Sequence, residues 1–144
     1  MRTLKSHELN EIRDIANQCF VEIKQAGKRF NFEHFCWAFG PALDANQVVL
    51  WVTDTINAFL LVNYAPDPFA GELTGYSISW FVKPEFRKTG IGNKLWREFF
   101  KEGERRGCLH YIFGHPKVIN KDCNHGWFEK RGLGHVENLY RFDV

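Results

Sequence analysis

The sequence predicts a mixed α+β domain, with a central mixed, mostly antiparallel sheet and helices on its faces. Two observations carry that prediction. Strand-like apolar runs at Val48–Val52, Ala58–Val62 and Leu73–Val82 follow one another with turns or a short loop between them, the order of an antiparallel meander. Segments with three- and four-residue apolar periodicity precede the meander and alternate with strand-like segments after it, so helices are available to cover the sheet. A chain of 144 residues has the length of one domain, and no repeat, low-complexity tract or linker divides residues 1–144.

The elements follow in order. Leu9, Ile12, Ile15, Ala16, Cys19, Phe20 and Ile23 recur at helical steps with Glu8, Glu11, Arg13 and Lys24 between them, and Gly27 ends that helix. Phe32 to Phe39 is a shorter, ring-dense helical or irregular segment, followed by Pro41 and a loop. Val48–Val52 reads as a buried strand, Asp54 to Asn57 as a turn, and Ala58–Val62 as the next strand. Proline and glycine make Ala65 to Gly71 a loop, and a third strand runs from about Leu73 to Val82 before Lys83-Pro84. Ile91, Leu95, Trp96, Phe99 and Phe100 then line one face of a helix closed by Gly107. Leu109–Phe113 reads as a strand, Asn124–Arg131 as a short helix capped by Gly132, and Val136–Val144 as a last strand.

Composition bounds the function. With 44% hydrophobic and 25% charged residues the chain reads as globular and soluble. Its 14 phenylalanines and 5 tryptophans fill either a core or an apolar substrate pocket. A net charge of +2 is too small to argue for a nucleic-acid partner. Cys19, Cys36, Cys108 and Cys123 show no framework spacing and fit the reduced thiols of a cytoplasmic protein. The start of the chain carries no apolar signal core, and no apolar run reaches the roughly eighteen residues a membrane span needs.

One stretch speaks to ligand chemistry. Arg87-Lys88-Thr89-Gly90-Ile91-Gly92 leaves a strand and opens a helix. A helix start presents unpaired N–H groups and the positive end of its dipole, and glycines let the backbone come close to an anion. The expected ligand is therefore a nucleotide-like or coenzyme phosphate.

The segment Val82-Lys83-Pro84-Glu85-Phe86-Arg87-Lys88-Thr89-Gly90-Ile91-Gly92-Asn93-Lys94-Leu95 resembles the GNAT superfamily of acetyl-coenzyme A-dependent N-acetyltransferases. The family carries Arg/Gln-x-x-Gly-x-Gly/Ala after a strand ending in Val-x-Pro. It also carries an aromatic pair followed by Glu-Lys-x-Gly, matched here by Trp127-Phe128-Glu129-Lys130-Arg131-Gly132-Leu133. The resemblance covers about Leu73 to Val136, and the N-terminal half matches in element order alone. It implies strands splayed at the coenzyme site, acetyl-coenzyme A as cosubstrate, and direct attack of a primary amine, on a small molecule or a protein, on the thioester.

The resemblance also assigns residues. Amides from Arg87 through Lys88, Thr89, Gly90, Ile91 and Gly92 to Asn93 would cradle the pyrophosphate, and Arg87, Lys88 and Lys94 add positive charge. Freed backbone groups at Phe81 and Val82 would bind the pantetheine and polarise the thioester carbonyl. Candidates for the general base are Glu72, Tyr76, Ser79 through a bound water, and His115 just past a strand. Glu72 reads equally well as a surface carboxylate, and His115 as a loop histidine.

Two positions depart from the family pattern. Where relatives often place a tyrosine as general acid, this chain has Phe128, which cannot donate a proton. Asn120 stands one residue from the usual asparagine position, which Lys121 occupies. Cys108, His110, His115, Cys123 and His125 lack the knuckle spacing of zinc sites, so no metal is expected. Phe30, Phe32, His34, Phe35, Trp37 and Phe39, with Glu33 and Asp44, are candidates for the acceptor cleft, and a homodimer is admitted as an assembly. The competing reading is a non-catalytic coenzyme A-binding or protein-interaction domain of the same fold, and a nucleic-acid binder stands third.

Overall fold

The computed structural model describes residues 1–23, 29–113 and 130. The elements expected after Phe113, and with them His115, Asn120, Phe128 and the cysteine and histidines of that stretch, lie outside the described residues. Among the described residues five strands form one sheet in chain order: β1 (Arg2–Thr3), β2 (Val48–Val52), β3 (Ala58–Pro66), β4 (Leu73–Val82) and β5 (His110–Phe113). The first four pair antiparallel, and β5 joins β4 in parallel. A parallel neighbour needs a crossover, and α3 (Ile91–Arg106) supplies it. The mixed, mostly antiparallel sheet expected from the sequence is the one observed.

Helices cover both faces. On one side a 3₁₀ helix (Ser6–Ile12), α1 (Arg13–Ile23) and α2 (Phe32–Asp44) pack Ile12, Ile15, Cys19, Phe32 and Leu43 onto Leu50, Val52, Phe59, Leu61 and Phe81. On the other, α3 packs Leu95, Trp96 and Phe99 onto Val49, Trp51, Leu60 and Val62. Every residue of β2 is buried because both of its faces are covered, which is why it reads as a continuous apolar run.

Four boundaries differ from the sequence reading. The first amphipathic segment begins as a 3₁₀ helix and becomes α-helical only at Arg13. The second runs through Pro41 to Asp44: Leu43, beyond the proline, is buried against the core, and that tertiary packing outweighs the lost hydrogen bond. β3 extends through Ala65 and Pro66, with Pro66 opposite Leu73 at the strand end, where a missing N–H costs least. The two-residue β1 has no periodicity to betray it and is fixed by its pairing with β2 and by buried Leu4.

The α3 layer depends on two close approaches. A Cβ on Gly75 of β4 would lie 2.9 Å from the Phe99 ring, and one on Gly103 of α3 would lie 2.8 Å from Cζ of Tyr111. The Tyr111 hydroxyl donates to the Phe100 carbonyl at 3.2 Å. Gly103→Ala should therefore destabilise the protein by about 1–2 kcal/mol, because overpacking exceeds the gain in helix propensity of about 1 kcal/mol. A thermal midpoint at or above wild type would contradict this packing.

Near the end of α3, Glu102 accepts from Arg105 at 2.6 and 2.8 Å and from Arg106 at 2.7 Å. The Arg105 bonds, then the one from Arg106, hold its carboxyl at about 2 against an ordinary 4.5. A depressed folded-state pKa gives stability that is present above the unfolded value and lost on acidification. Glu102→Gln should thus flatten the acid limb of the stability curve between about pH 4.5 and about pH 2. Denaturant titrations across that range provide the check.

Candidate active site

The site grows from an irregularity in β4. Leu61 of β3 pairs with Ser79, but the next residue, Val62, pairs with Ser77, so Ile78 is an extra residue, a β-bulge. Side chains alternate along a strand, and one inserted residue inverts the alternation. Before the bulge, Gly75 contacts the α3 side; after it, Trp80 and Val82 do. Tyr76, opposite Asn63, and Ser79, opposite Leu61, consequently share the α1 face although three residues separate them. The bulge brings two of the proposed general-base residues to one side of the sheet.

The same place is where β4 loses its second neighbour. β5 pairs with Thr74 to Ser77, and among the described residues nothing pairs with Ile78 to Val82 on that side. Lys83 N–H donates to the Asn57 carbonyl at 2.9 Å, which sets the phase of the β3–β4 ladder. Phe81 therefore directs its backbone groups to β3, and the N–H and C=O of Val82 and Trp80 face the gap. The expectation for Val82 agrees with this geometry. Phe81, the other residue expected to offer freed backbone groups, spends them on β3, and Trp80 is the second residue that faces the gap, a phase that the sequence does not reveal.

Beyond Val82 the chain makes a 3₁₀ turn (Pro84–Phe86) and enters the glycine turn. Lys88 (φ 66°) and Gly90 (φ 86°) adopt left-handed conformations, which curl the backbone so that successive amides converge. Among the described residues, the amides of Lys88, Thr89, Gly90, Ile91, Gly92 and Asn93 donate to no protein acceptor. The first α3 bond is from Lys94 N–H to the Gly90 carbonyl at 3.2 Å. The first turn of α3 carries no carboxylate, and Gly90 offers no side-chain cap. A helix start left without its usual acidic residue is set up for an external anion.

The two glycines differ in role. A Cβ on Gly90 would meet no atom within 4 Å, so its face opens on the space above the turn. One on Gly92 would lie 3.5 Å from Trp80 and 3.8 Å from Val82, so that glycine packs the helix start against β4. Thr89 Oγ donates to the Phe86 carbonyl at 2.6 Å and braces the turn. Lys88 and Lys94 are exposed and form no ion pair among the described residues, whereas Arg87 is engaged by Glu22 of α1.

The remaining candidates separate. Ser79 Oγ lies 3.8 Å from Cys19 Sγ of α1, whose thiol burial pushes up to about 11. Cys19 is thus a neutral packing group rather than a nucleophile. Glu72 is not brought to the gap: it pairs with His110 Nε2 at 2.7 Å, six residues and about 20 Å along β4 from the bulge. Asn63 and Ser77 each carry a buried side-chain oxygen without a partner among the described residues, Asn63 cross-strand from Tyr76. A polar residue within β3's apolar run was the sequence signal for Asn63. No group of three or more His, Cys, Asp or Glu among the described residues could hold a metal.

A cleft of about 530 Å³ lies between α1 and the start of α2, lined by residues including Arg13, Asn17, Arg29, Phe30, Phe32 and Glu33. Glu22 and the residues of the gap are not among those that line it. Of the other rings proposed for an acceptor cleft, Phe35 and Phe39 pack on the core, and Trp37 is exposed beside His34. Asp44 accepts from Ser6, which ties the end of α2 to the 3₁₀ helix.

The model of the acetyltransferase (GNAT) family matches residues 9–133, from the 3₁₀ helix past the turn. The chain is a GNAT acetyltransferase family member. GNAT proteins are acyltransferases, and acetyl-coenzyme A is their donor. The fold agrees with solved structures of the family. A predicted acetyltransferase from Clostridium acetobutylicum, with acetyl-CoA, superposes with a TM-score of 0.79 at 14% identity, covering 99% of this chain and 94% of that one. A ribosomal-protein-alanine N-acetyltransferase from Brucella melitensis biovar Abortus gives 0.73 at 14% identity, covering 99% and 98%. An aminoglycoside acetyltransferase from an uncultured soil metagenomic sample, in complex with sisomicin, gives 0.73 at 16% identity, covering 99% and 94%. No curated protein matches this GNAT sequence. No helix among the described residues is long and apolar enough to cross a membrane.

Proposed function

We propose that this GNAT protein, a single domain over residues 1–144, transfers the acetyl group of acetyl-coenzyme A to a primary amine on a small molecule or a protein. The observation that carries the reading is the run of six acceptor-free amides, Lys88 to Asn93, at the open end of β4. Those amides receive the pyrophosphate, with Lys88 and Lys94 supplying the flanking charge. The gap-facing groups of Val82 and Trp80 hold the pantetheine, and one of their N–H groups polarises the thioester carbonyl.

The amine nitrogen attacks the carbonyl carbon, and the C=O pair moves to oxygen, where the N–H stabilises it. Collapse of the tetrahedral intermediate expels the coenzyme thiolate, which water protonates because Phe128 has no proton to give. An ordinary thiol pKa near 8.5 makes that demand small. The amine proton leaves to Tyr76, to a water on Ser79, or to His115, and Glu72 is the weakest candidate on distance. The acceptor approaches from the α1 face, where Tyr76 and Ser79 lie together. Two structural neighbours, a ribosomal-protein-alanine N-acetyltransferase and an aminoglycoside acetyltransferase, fit an amine acceptor without choosing among amines. Unpaired cysteines at 19, 36 and 108 fit a cytoplasmic protein.

Incubation with acetyl-coenzyme A and an amine panel, reading thiol release, tests the reaction. Tight coenzyme binding with no turnover would instead support the non-catalytic reading, which Phe128 favours. Within the enzyme reading, His115→Ala and Tyr76→Phe discriminate the base. The true base loses kcat by roughly a hundredfold or more at nearly unchanged coenzyme affinity, and its pH–rate profile loses the basic-form limb. Wild-type kinetics in both variants would leave the water on Ser79.

A further inference from the structure

The structure assigns Glu22 as a positioning residue for the coenzyme turn, acting through a clamp centred on Arg87. This rests on the coenzyme reading above. Arg87 is the first residue of the glycine turn, and its guanidinium does not point toward the open amides. Its Nη2 donates to both carboxylate oxygens of Glu22, at 2.6 and 2.7 Å. Its Nε donates to the Val82 carbonyl at 3.0 Å, and its Cζ stands 5.6 Å from the centroid of the Phe81 ring.

One planar cation thus joins the last turn of α1, the end of β4 and the start of the turn. A guanidinium suits that work, since its donors are fixed in one plane and its face lies well on a ring. Three consequences follow. The Val82 carbonyl, which faces the gap, is held in place. Glu22 cancels the Arg87 charge, so Lys88 and Lys94 supply the positive field at the phosphates. α1, whose inner face holds Cys19 against Ser79 at 3.8 Å, is tied to the coenzyme side of the gap. Glu22 touches neither substrate nor reacting atoms and acts only through Arg87.

The test uses the full chain with Glu22→Gln, Arg87→Gln and the double variant. In the ligand-free protein, hydrogen exchange of the Arg87 and Lys94 amides, which donate to the Pro84 and Gly90 carbonyls on either side of the turn, should rise about fivefold in Glu22→Gln, with α1's last turn rising alongside and β2 unchanged. The Kd for coenzyme A, by calorimetry, should rise about fivefold in each single variant and no further in the double, as for two groups that act as one unit. The thermal midpoint should fall by no more than a degree or two, as for a partly exposed pair.

Wild-type exchange at the turn in Glu22→Gln would overturn the clamp, and so would additive losses in the double variant. Tighter coenzyme binding in Glu22→Gln would also overturn it, showing that Glu22 withholds Arg87 from the phosphates. If the wild-type protein binds no coenzyme A, the coenzyme reading fails by itself, and the exchange measurement still decides the clamp.

Discussion

Gly90→Val is expected to give a folded protein whose affinity for coenzyme A is at least about a hundredfold below wild type, the loss of about 3 kcal/mol of charge-assisted hydrogen bonds. Two effects combine at this residue. Its φ of 86° lies in the left-handed region, where a β-branched residue is strained by about 1–2 kcal/mol, and relaxing that strain turns the neighbouring amides away from one another. Its open face is also the face an anion must approach, since no atom of the described residues comes within 4 Å of a Cβ built there. The added methyl groups would occupy that space. The fold should survive because nothing in the core touches the residue. Calorimetry with coenzyme A, alongside a thermal melt, checks both halves. Unchanged affinity would remove the turn from coenzyme binding, and a molten protein would show that Gly90 serves the fold instead.

Phe99→Ala is expected to cost about 3–5 kcal/mol, a large share of the roughly 5–15 kcal/mol that holds a domain of this kind. Phe99 is wholly buried, and its ring meets Tyr64, Trp96, Phe100, Tyr111 and Phe113 at centroid distances between 5.3 and 6.0 Å. It also fills the space above Gly75, so alanine would leave a cavity between α3 and β4 with no nearby side chain free to close it. Coenzyme affinity should fall as well, because the start of α3 carries the amides and the rest of α3 holds that start against the sheet. Phe99→Leu should cost much less. Chemical denaturation of both variants measures the difference, and a loss below about 1 kcal/mol for alanine would contradict the central place given to this ring.

Much of this was legible from residue order. The glycine turn announces itself because a helix start with Gly90 and Gly92 after an apolar strand has few other uses, and α3 is legible from its apolar stripe at positions 91, 95, 96, 99 and 100. The bounds of β4 follow from its apolar run and from Pro84. Other features are set by tertiary contacts and leave no local trace. Pro41 marked an end that the burial of Leu43 overrides. Ile78 looks like any strand residue, so neither the bulge nor the exchange of Phe81 for Trp80 at the gap could be read in advance. Glu72 was placed near the chemistry because it is close in sequence to the strand, whereas the strand's length carries it to the other end of the sheet, beside His110.

The extra residue at Ile78 divides β4 into two stretches of opposite phase. Upstream, even-numbered side chains look toward α1; downstream, even-numbered side chains look toward α3, and the backbone groups of Trp80 and Val82 turn to the gap. Under the proposed function, the upstream half bears on the acceptor side through Tyr76, and the downstream half on the coenzyme side through Trp80 and Val82. A single strand thus faces two ways, and one inserted residue makes the turn-over.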